Sequence, residues 1–230
     1  MAGPSLRAVT LDAFGTLIGL DAPLPRLVAA LRGAGHARPE PVVAAALEAE
    51  MRYYRINHDD GHDAESLAEL HRRCAAVLAE GLGPGGPPPP RLTELLVGSL
   101  EFVLLPDALP ALDALRDAGY RLAVVSNWDY ELPLHLARLG VADRFDAVAV
   151  SATVGARKPS PALFHHALEE MGVRAPEAAH CGDQPEPDCL GARQAGLRAV
   201  LVDRDGRHAG APCPRIDALT DLPAALASPG

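Results

Sequence analysis

The chain has 230 residues, of which 48% are hydrophobic, and its formal net charge is −9 at pH 7. This length and apolar content are enough for one large domain with a buried core, or for a domain that carries a sizeable insertion. The acidic balance, without a basic cluster, argues against a nucleic-acid or anionic-membrane surface, and no stretch reaches the roughly 18 to 20 apolar residues of a membrane span.

Five short apolar runs have the pattern of strands that are buried on both faces of a parallel sheet, because they are rich in Val and show little polar alternation. In chain order they are residues 6–12, 120–127, 145–151, 178–183 and 197–203. Segments with helical periodicity separate the later runs, at 108–118, 130–139, 161–171 and 187–195. Each of these segments ends near a Gly, as helices often do. The alternation predicts a doubly wound α/β core.

Residues 18 to 100 break this rhythm and predict a helical insertion after the first strand. Helical periodicity covers 24–33, 41–56, 64–80 and 91–101, with no convincing strand among them. The run GPGGPPPP at 83–90 predicts a stiff surface connection inside the insertion, because it suits neither a helix interior nor a central strand.

The four cysteines, Cys74, Cys181, Cys189 and Cys213, have no CxxC spacing and no zinc-finger spacing to His. They therefore indicate neither a disulfide framework nor a structural zinc site. Since Asp12 also interrupts the apolar segment that a signal peptide needs, we expect a cytoplasmic protein.

Polar groups follow four of the predicted strands where each strand ends. Asp12 closes the first, Ser126 and Asn127 close the second, Lys158 follows the third after a short loop, and Asp183 closes the fourth. Because ligands of parallel α/β sheets bind beyond the carboxyl ends of the strands, we expect these side chains to meet at one rim. Each also has an ordinary structural explanation, such as a turn, a helix cap or a solvated surface residue.

The turn after Asp12 favours a chemical role for that carboxylate. Gly15 permits a tight turn whose N–H groups can face an anion, and Thr16 supplies a hydroxyl that can orient a carboxylate or contact an oxyanion. A carboxylate in such a place can attack phosphorus or carbon and form a covalent intermediate.

Asp183 and Asp188 are five residues apart around a turn that contains Pro, within reach of one hard cation. Mg²⁺ prefers a few carboxylates together with waters and phosphate oxygens. The alternative is that Asp188 only favours the dipole of a helix first turn.

Taken in order, Asp12 with Gly15–Thr16, then Ser126–Asn127, Lys158–Pro159, and Gly182–Asp183 with Asp188 resemble the four motifs of the haloacid dehalogenase-like hydrolase superfamily. The resemblance implies a Rossmann-like core at 1–17 and 102–230 and a helical cap at 18–101. It implies that Asp12 is the nucleophile, Ser126 the oxyanion contact and Lys158 the charge-balancing residue. Asp183 is then the main Mg²⁺ ligand and Asp188 supports it, with Gly15, Thr16 and Asn127 at the substrate.

Phe14 departs from this resemblance. Phosphatases of the superfamily usually carry a second Asp at that position, which protonates the leaving alkoxide and later activates water, and a phenyl ring can do neither. General acid–base help is worth about 10² to 10⁴ in rate. The family's metal site uses the backbone carbonyl of this position, so Phe14 is still expected among the metal ligands.

Three functions remain open at this point. The first is a Mg²⁺-dependent phosphatase of a small phosphorylated metabolite, a monomer or homodimer that is slow or favours good leaving groups. The second is a 2-haloacid dehalogenase, since those enzymes carry an aromatic residue at the position of Phe14; they also use a cap Arg, for which Arg38 and Arg52 are candidates. The third is a phosphate-binding or partner-binding protein without turnover.

Overall fold

The computed structural model describes residues 5–227, so the first four and last three residues of the predicted core lie outside the described part. The chain forms two compact units. One contains the residues up to Gly19 and those from Leu104 onward, and the other contains Leu20–Val103. Between residues 5 and 227, no helix is both long enough and apolar enough to cross a membrane.

The first unit is built on a parallel six-stranded sheet, which confirms the predicted α/β class. All five predicted strands are present. The strands of the described chain are β1 (Ala8–Leu11), β2 (Ile18–Leu20), β3 (Phe102–Leu104), β4 (Arg121–Ser126), β5 (Ala147–Val150), β6 (Ala178–Gly182), β7 (Arg198–Val202) and β8 (Arg215–Ile216).

The strand order of the large sheet is β5-β4-β1-β6-β7-β8, which puts β1 near its middle. Ala8 of β1 lies opposite Arg121 of β4 on one side and opposite Ala178 of β6 on the other. All four residues of β1 are buried, because helices cover both faces of the sheet. The order reverses around β1, so the carboxyl ends of β1, β4 and β6 lie beside a topological switch point.

Ten α-helices are present in the described residues. They are α1 (Pro23–Gly33), α2 (Glu40–Asn57), α3 (Ala64–Leu82), α4 (Pro89–Ser99), α5 (Ala108–Asp117), α6 (Leu132–Arg138), α7 (Ser151–Val154), α8 (Pro161–Met171), α9 (Gly191–Gln194) and α10 (Leu222–Ala227). The segment predicted as one helix at 187–195 is divided, since a π-helical turn at Pro185–Leu190 precedes α9.

The second unit consists mainly of α1 to α4, in agreement with the predicted helical periodicity. Each of these helices buries an apolar face, and α3 begins at a capping box in which Asp63 accepts from the Ser66 N–H. The connection predicted at 83–90 is shorter than expected, because α4 already begins at Pro89, a position where Pro is well tolerated.

One short strand, β2, corrects the prediction that 18–100 contains no strand. β2 begins at Ile18, and it forms a separate two-stranded sheet with β3. Only three residues long, β2 is too short to show a period in the sequence.

The expectation of no disulfide is wrong. Cys189 and Cys213 form a disulfide with their Cα atoms 5.9 Å apart, while Cys74 and Cys181 are free and buried. The 24-residue separation matches no recognisable spacing: Cys189 lies in the π-helical turn at Pro185–Leu190, and Cys213 lies in the loop between β7 and β8.

Candidate active site

The ends of β1 and β4 bring Asp12 and Ser126 together. Asp12 follows β1 directly and its backbone N–H donates to the Cys181 carbonyl at 2.9 Å. The Ser126 hydroxyl, at the end of β4, donates to Asp12 Oδ1 at 3.0 Å. Both side chains are buried. Their relative position follows from the parallel register of β1 and β4.

Lys158 reaches this pair from the loop before α8. Its Nζ donates to Asp12 Oδ1 at 2.5 Å and to Asp188 Oδ1 at 2.7 Å. The Asn127 side chain holds the Lys158 backbone at two points, since Oδ1 accepts from the Lys158 N–H at 2.7 Å and Nδ2 donates to its carbonyl at 3.0 Å. In this structure the Asn127 side chain therefore positions Lys158, and a contact of Asn127 with substrate stays a prediction.

Asp183 and Asp188 complete the group at the end of β6. One carboxylate oxygen from each of Asp12, Asp183 and Asp188 lies within 4.8 Å of the others. A Cβ on Gly182 would collide with the Asp188 carboxylate, so only glycine allows this close approach. Residues 12, 126, 158 and 183 therefore meet at one rim beyond the strand ends, as expected, and Asp188 joins them from the turn after β6.

The charges of this group depend on Lys158. Burial alone would lower the pKa of Lys158, but the carboxylates of Asp12 and Asp188 outweigh it and raise that pKa. The pKa of Asp188 lies below its ordinary range, because Lys158 and a hydrogen bond from His180 overcome the effect of burial. For Asp12, burial exceeds the opposing effect of Lys158 and raises the pKa above 3.8. The ammonium is thus held charged between two carboxylates.

Asp183 has one carboxylate oxygen that is free to bind a cation. Its Oδ2 accepts from Gln184 Nε2 at 2.8 Å, whereas its buried Oδ1 has no hydrogen-bond partner among residues 5–227. Burial and the nearby Asp12 raise the pKa of Asp183 to about 7. A bound divalent cation would satisfy the unpartnered oxygen and favour the ionised carboxylate, so this donor set fits Mg²⁺.

The loop after Asp12 uses its N–H groups internally. The Gly15 N–H donates to the Ile18 carbonyl at 2.9 Å, and the Thr16 N–H reaches the Ala13 carbonyl at 3.3 Å. The Thr16 hydroxyl is buried without a hydrogen-bond partner among the described residues. Gly15 and Thr16 therefore shape the loop after Asp12, and their N–H groups donate within that loop rather than to an anion.

Phe14 presents an aromatic surface beside this group. Its side chain is 39% exposed, and its ring centroid lies 6.0 Å from that of the buried Trp128. Neither ring accepts or releases a proton at neutral pH. The position that usually carries the acid in phosphatases is therefore part of an aromatic pair.

Sequence reasoning missed a buried hydrogen-bond chain behind Asp188. The His180 Nε2–H donates to Asp188 Oδ1 at 3.2 Å, and its Nδ1 lies 2.8 Å from the Thr10 hydroxyl. Burial lowers the pKa of His180, so the ring stays neutral. The sequence does carry a signal for this chain, because each of two apolar runs contains one polar residue, Thr10 in β1 and His180 in β6. Buried polar residues of this kind need hydrogen-bond partners.

Comparison with known proteins agrees with this geometry. Residues 6–196 match the haloacid dehalogenase-like hydrolases. A phosphoserine phosphatase of Thermus thermophilus is 40% identical over 133 residues, which are 56% of this chain and 53% of that protein. A glyceraldehyde 3-phosphate phosphatase of Methanopyrus kandleri is 29% identical over 71% of this chain and 72% of its own. The match thus spans only about half of the first of these relatives.

Solved structures of both reaction types resemble the chain over nearly its whole length. A phosphatase from Thermococcus onnurineus has a TM-score of 0.65 and a 2-haloacid dehalogenase from Pseudomonas syringae one of 0.66. Each is 27% identical and covers 96% of this chain and 98% of its own. Overall similarity therefore does not separate the two activities, and the side chains of the site must do so.

Proposed function

The chain belongs to the haloacid dehalogenase-like hydrolase family, and from that membership we propose that it is a Mg²⁺-dependent phosphatase of small phosphorylated molecules. The observation that carries the proposal is the cluster of three carboxylates within 4.8 Å, in which Asp12 is also bonded to Lys158. We further propose that Leu20–Val103 serves as the cap domain of this family.

In the proposed reaction Asp12 is the nucleophile. Lys158 and Ser126 both donate to Oδ1, which orients the carboxylate and leaves Oδ2 to attack phosphorus. The new O–P bond forms as the bond to the leaving oxygen breaks, and the electron pair departs with that oxygen. Water then attacks the phosphorus of the aspartyl phosphate. A new O–P bond forms as the bond from phosphorus to Asp12 Oδ2 breaks, and the electron pair returns to the carboxylate. The proton of the water leaves with the released phosphate.

Asp12, Asp183 and Asp188 would hold the cation, together with the backbone carbonyl of Phe14. When bound, Mg²⁺ neutralises this carboxylate cluster and the phosphate oxygens of the substrate. The unpartnered Asp183 Oδ1 is the atom that fits this role best. Both oxygens of Asp188 already accept protein hydrogen bonds, Oδ1 from Lys158 and Oδ2 from the Gln184 N–H at 2.8 Å, so Asp188 supports the site more than it binds directly.

Phe14 sets the class of leaving group. Without a carboxylic acid at this position, the departing oxygen must leave as an anion or take its proton from water. Acyl and aryl phosphates tolerate this because their leaving groups are weak bases, whereas alkyl phosphates lose a factor of about 10² to 10⁴. We therefore propose a preference for activated phosphates.

A 2-haloacid dehalogenase is the second candidate, because a halide needs no proton and Phe14 suits such a reaction. Two observations count against it. The carboxylate cluster would repel an anionic substrate unless a cation were present. One candidate arginine is also engaged, since Arg38 donates to the Pro84 carbonyl at 2.8 Å and to the Leu82 carbonyl at 3.3 Å, whereas Arg52 pairs with Glu48 at the surface.

Phosphate release from acetyl phosphate and 4-nitrophenyl phosphate tests the proposal. We expect turnover that requires Mg²⁺ and is abolished in Asp12→Asn. Asp205→Asn is the matched control, because Asp205 is an exposed carboxylate paired only with Arg207 at the surface. Halide release from 2-chloropropionate in the presence of EDTA would establish the dehalogenase instead. Binding of Mg²⁺ without turnover of any substrate would support a binding protein.

A further inference from the structure

Arg204 is joined to the nucleophile loop although it lies almost two hundred residues away in the chain. Its Nη1 donates to the Gly15 carbonyl at 2.6 Å, and its Nη2 donates to the Thr16 carbonyl at 3.0 Å. These two carbonyls belong to the turn that follows Phe14, three residues after Asp12. One planar guanidinium therefore holds two successive peptide groups of the loop.

The guanidinium is itself anchored on the opposite side. Arg204 Nε and Nη2 donate to the two oxygens of Asp107, at 3.1 and 2.8 Å. Asp107 Oδ2 also accepts from the Leu219 N–H at 2.7 Å. These bonds overcome the effect of burial and keep the pKa of Asp107 below its ordinary value. Arg204 thus has a fixed direction, because two-point pairing with a carboxylate defines the plane of the fork.

A displacement of the Gly15–Thr16 turn would also move Asp12 or Asp183. Gly15 has a φ of +80°, and a Cβ at this position would lie 2.5 Å from Asp183 Oδ2. The turn therefore packs directly against the carboxylate that fits the cation. Because Asp12 and Gly15 share one short loop, the position of the turn also affects the nucleophile.

We propose that Arg204 is a positioning residue for catalysis, which holds the Gly15–Thr16 turn so that Asp12 and Asp183 keep their relative places. Arg204 touches neither of these carboxylates in the structure and acts through the two backbone carbonyls. This inference rests on the proposed phosphatase function for its kinetic part only. The order of the turn can be measured without any turnover.

The matched pair of variants is Arg204→Ala and Arg207→Ala. Arg207 lies three residues further along the same segment, but its side chain is 74% exposed and pairs with Asp205. We expect kcat for acetyl phosphate to fall about 10- to 100-fold in Arg204→Ala with KM nearly unchanged, because small misplacements of reacting groups have effects of that size. Arg207→Ala should match the wild type.

Arg204→Lys and chemical rescue separate positioning from a loss of folding. A Lys ammonium cannot bond both carbonyls and Asp107 in one plane, so we expect Arg204→Lys to remain impaired in kcat despite its charge. Guanidinium ion at low concentration should restore part of the kcat of Arg204→Ala, whereas methylammonium should not. Asp12→Asn must show no rescue under either condition.

Hydrogen exchange of the backbone amides at residues 13–18 gives the readout that needs no activity. We expect faster exchange in Arg204→Ala and Arg204→Lys than in the wild type and Arg207→Ala. A wild type without phosphatase activity would overturn the proposed function and leave this measurement to decide the role of Arg204. Unchanged exchange in Arg204→Ala, or a change in KM with kcat preserved, would overturn the inference.

Discussion

The Lys158 ammonium donates to Oδ1 of Asp12 at 2.5 Å, and both side chains are buried. A second carboxylate, Asp188, lies 2.7 Å from the same ammonium. One ammonium group therefore compensates the negative charges of two carboxylates in a buried region. Removal of one member of such a group leaves the others uncompensated, which costs far more than an exposed ion pair.

Lys158→Met is expected to destabilise the fold and abolish turnover. The free energy of unfolding should fall by about 3 to 5 kcal/mol, because two buried carboxylates then face each other without a cation. Millimolar Mg²⁺ should raise the Tm of this variant more than that of the wild type, since the metal would supply the missing charge. Thermal melts with and without Mg²⁺ measure both effects. Arg207→Met is the control, because the Arg207 side chain is 74% exposed and its pair with Asp205 lies at the surface, so this variant should melt like the wild type.

Phe14→Asp is expected to extend the substrate range to alkyl phosphates. The replaced residue is 39% exposed and loses its ring contact with Trp128, and the new carboxyl can protonate the leaving oxygen. The rate for an alkyl phosphate should rise by a factor within the roughly 10² to 10⁴ range of general acid catalysis, and by more than the rate for acetyl phosphate, whose leaving group needs no proton. The ratio of the two kcat/KM values is the measurement.

Phe14→Asn is the control for that experiment, since it has the size and polarity of Asp but no acidic proton. If Asn and Asp raise alkyl phosphate hydrolysis equally, the proton explanation is wrong. The gain would then come from the loss of the Phe14–Trp128 contact.

The sequence predicts the sheet well because its signal is local. The runs that become β1, β4, β5, β6 and β7 are apolar and bounded by turn residues, and their ends carry the reactive groups. β8 was missed because only two residues form it, one of them exposed. A strand of two residues is too short to show the alternation of polar and apolar residues by which strands are predicted.

The partners of the site residues could not be predicted from the same local signal. Asn127 looks like an open donor in the sequence, yet it bonds the Lys158 backbone 31 residues away. Arg204 lies in the polar stretch DRDGRH and resembles its neighbour Arg207 there. Only the fold shows that Arg204 meets Asp107 while Arg207 faces solvent.

Reduction of the Cys189–Cys213 disulfide is expected to lower stability without unfolding the protein. The crosslink spans 24 residues. A crosslink that closes a loop of this size stabilises the folded state by about 3 kcal/mol, because it lowers the conformational entropy of the unfolded chain. Dithiothreitol should therefore lower the Tm of the wild type. Cys213→Ser should have the lower Tm already and show no response to dithiothreitol, and an equal response in both proteins would contradict the crosslink.

Glu50→Gln is expected to stabilise the helical unit above pH 6. Glu50 lies on α2, is only 3% exposed and bonds Cys74 of α3. Burial raises its pKa from 4.5 to about 6, so the folded protein keeps a proton that the unfolded chain releases. The contribution of Glu50 to stability is therefore fully present below pH 4.5 and is lost as the pH rises through 6. The loss approaches about 2 kcal/mol, since each pKa unit corresponds to about 1.4 kcal/mol.

Gln removes the ionisation and keeps the size of the side chain, so the gain of Glu50→Gln should be largest at pH 8 and vanish near pH 4.5. Urea unfolding at the two pH values measures it. Glu48→Gln is the control, because Glu48 lies on the same helix with a 72% exposed side chain and only a surface pair with Arg52. A Glu50→Gln protein that is less stable than the wild type at pH 8 would show that the carboxylate is compensated in the folded state, contrary to its burial.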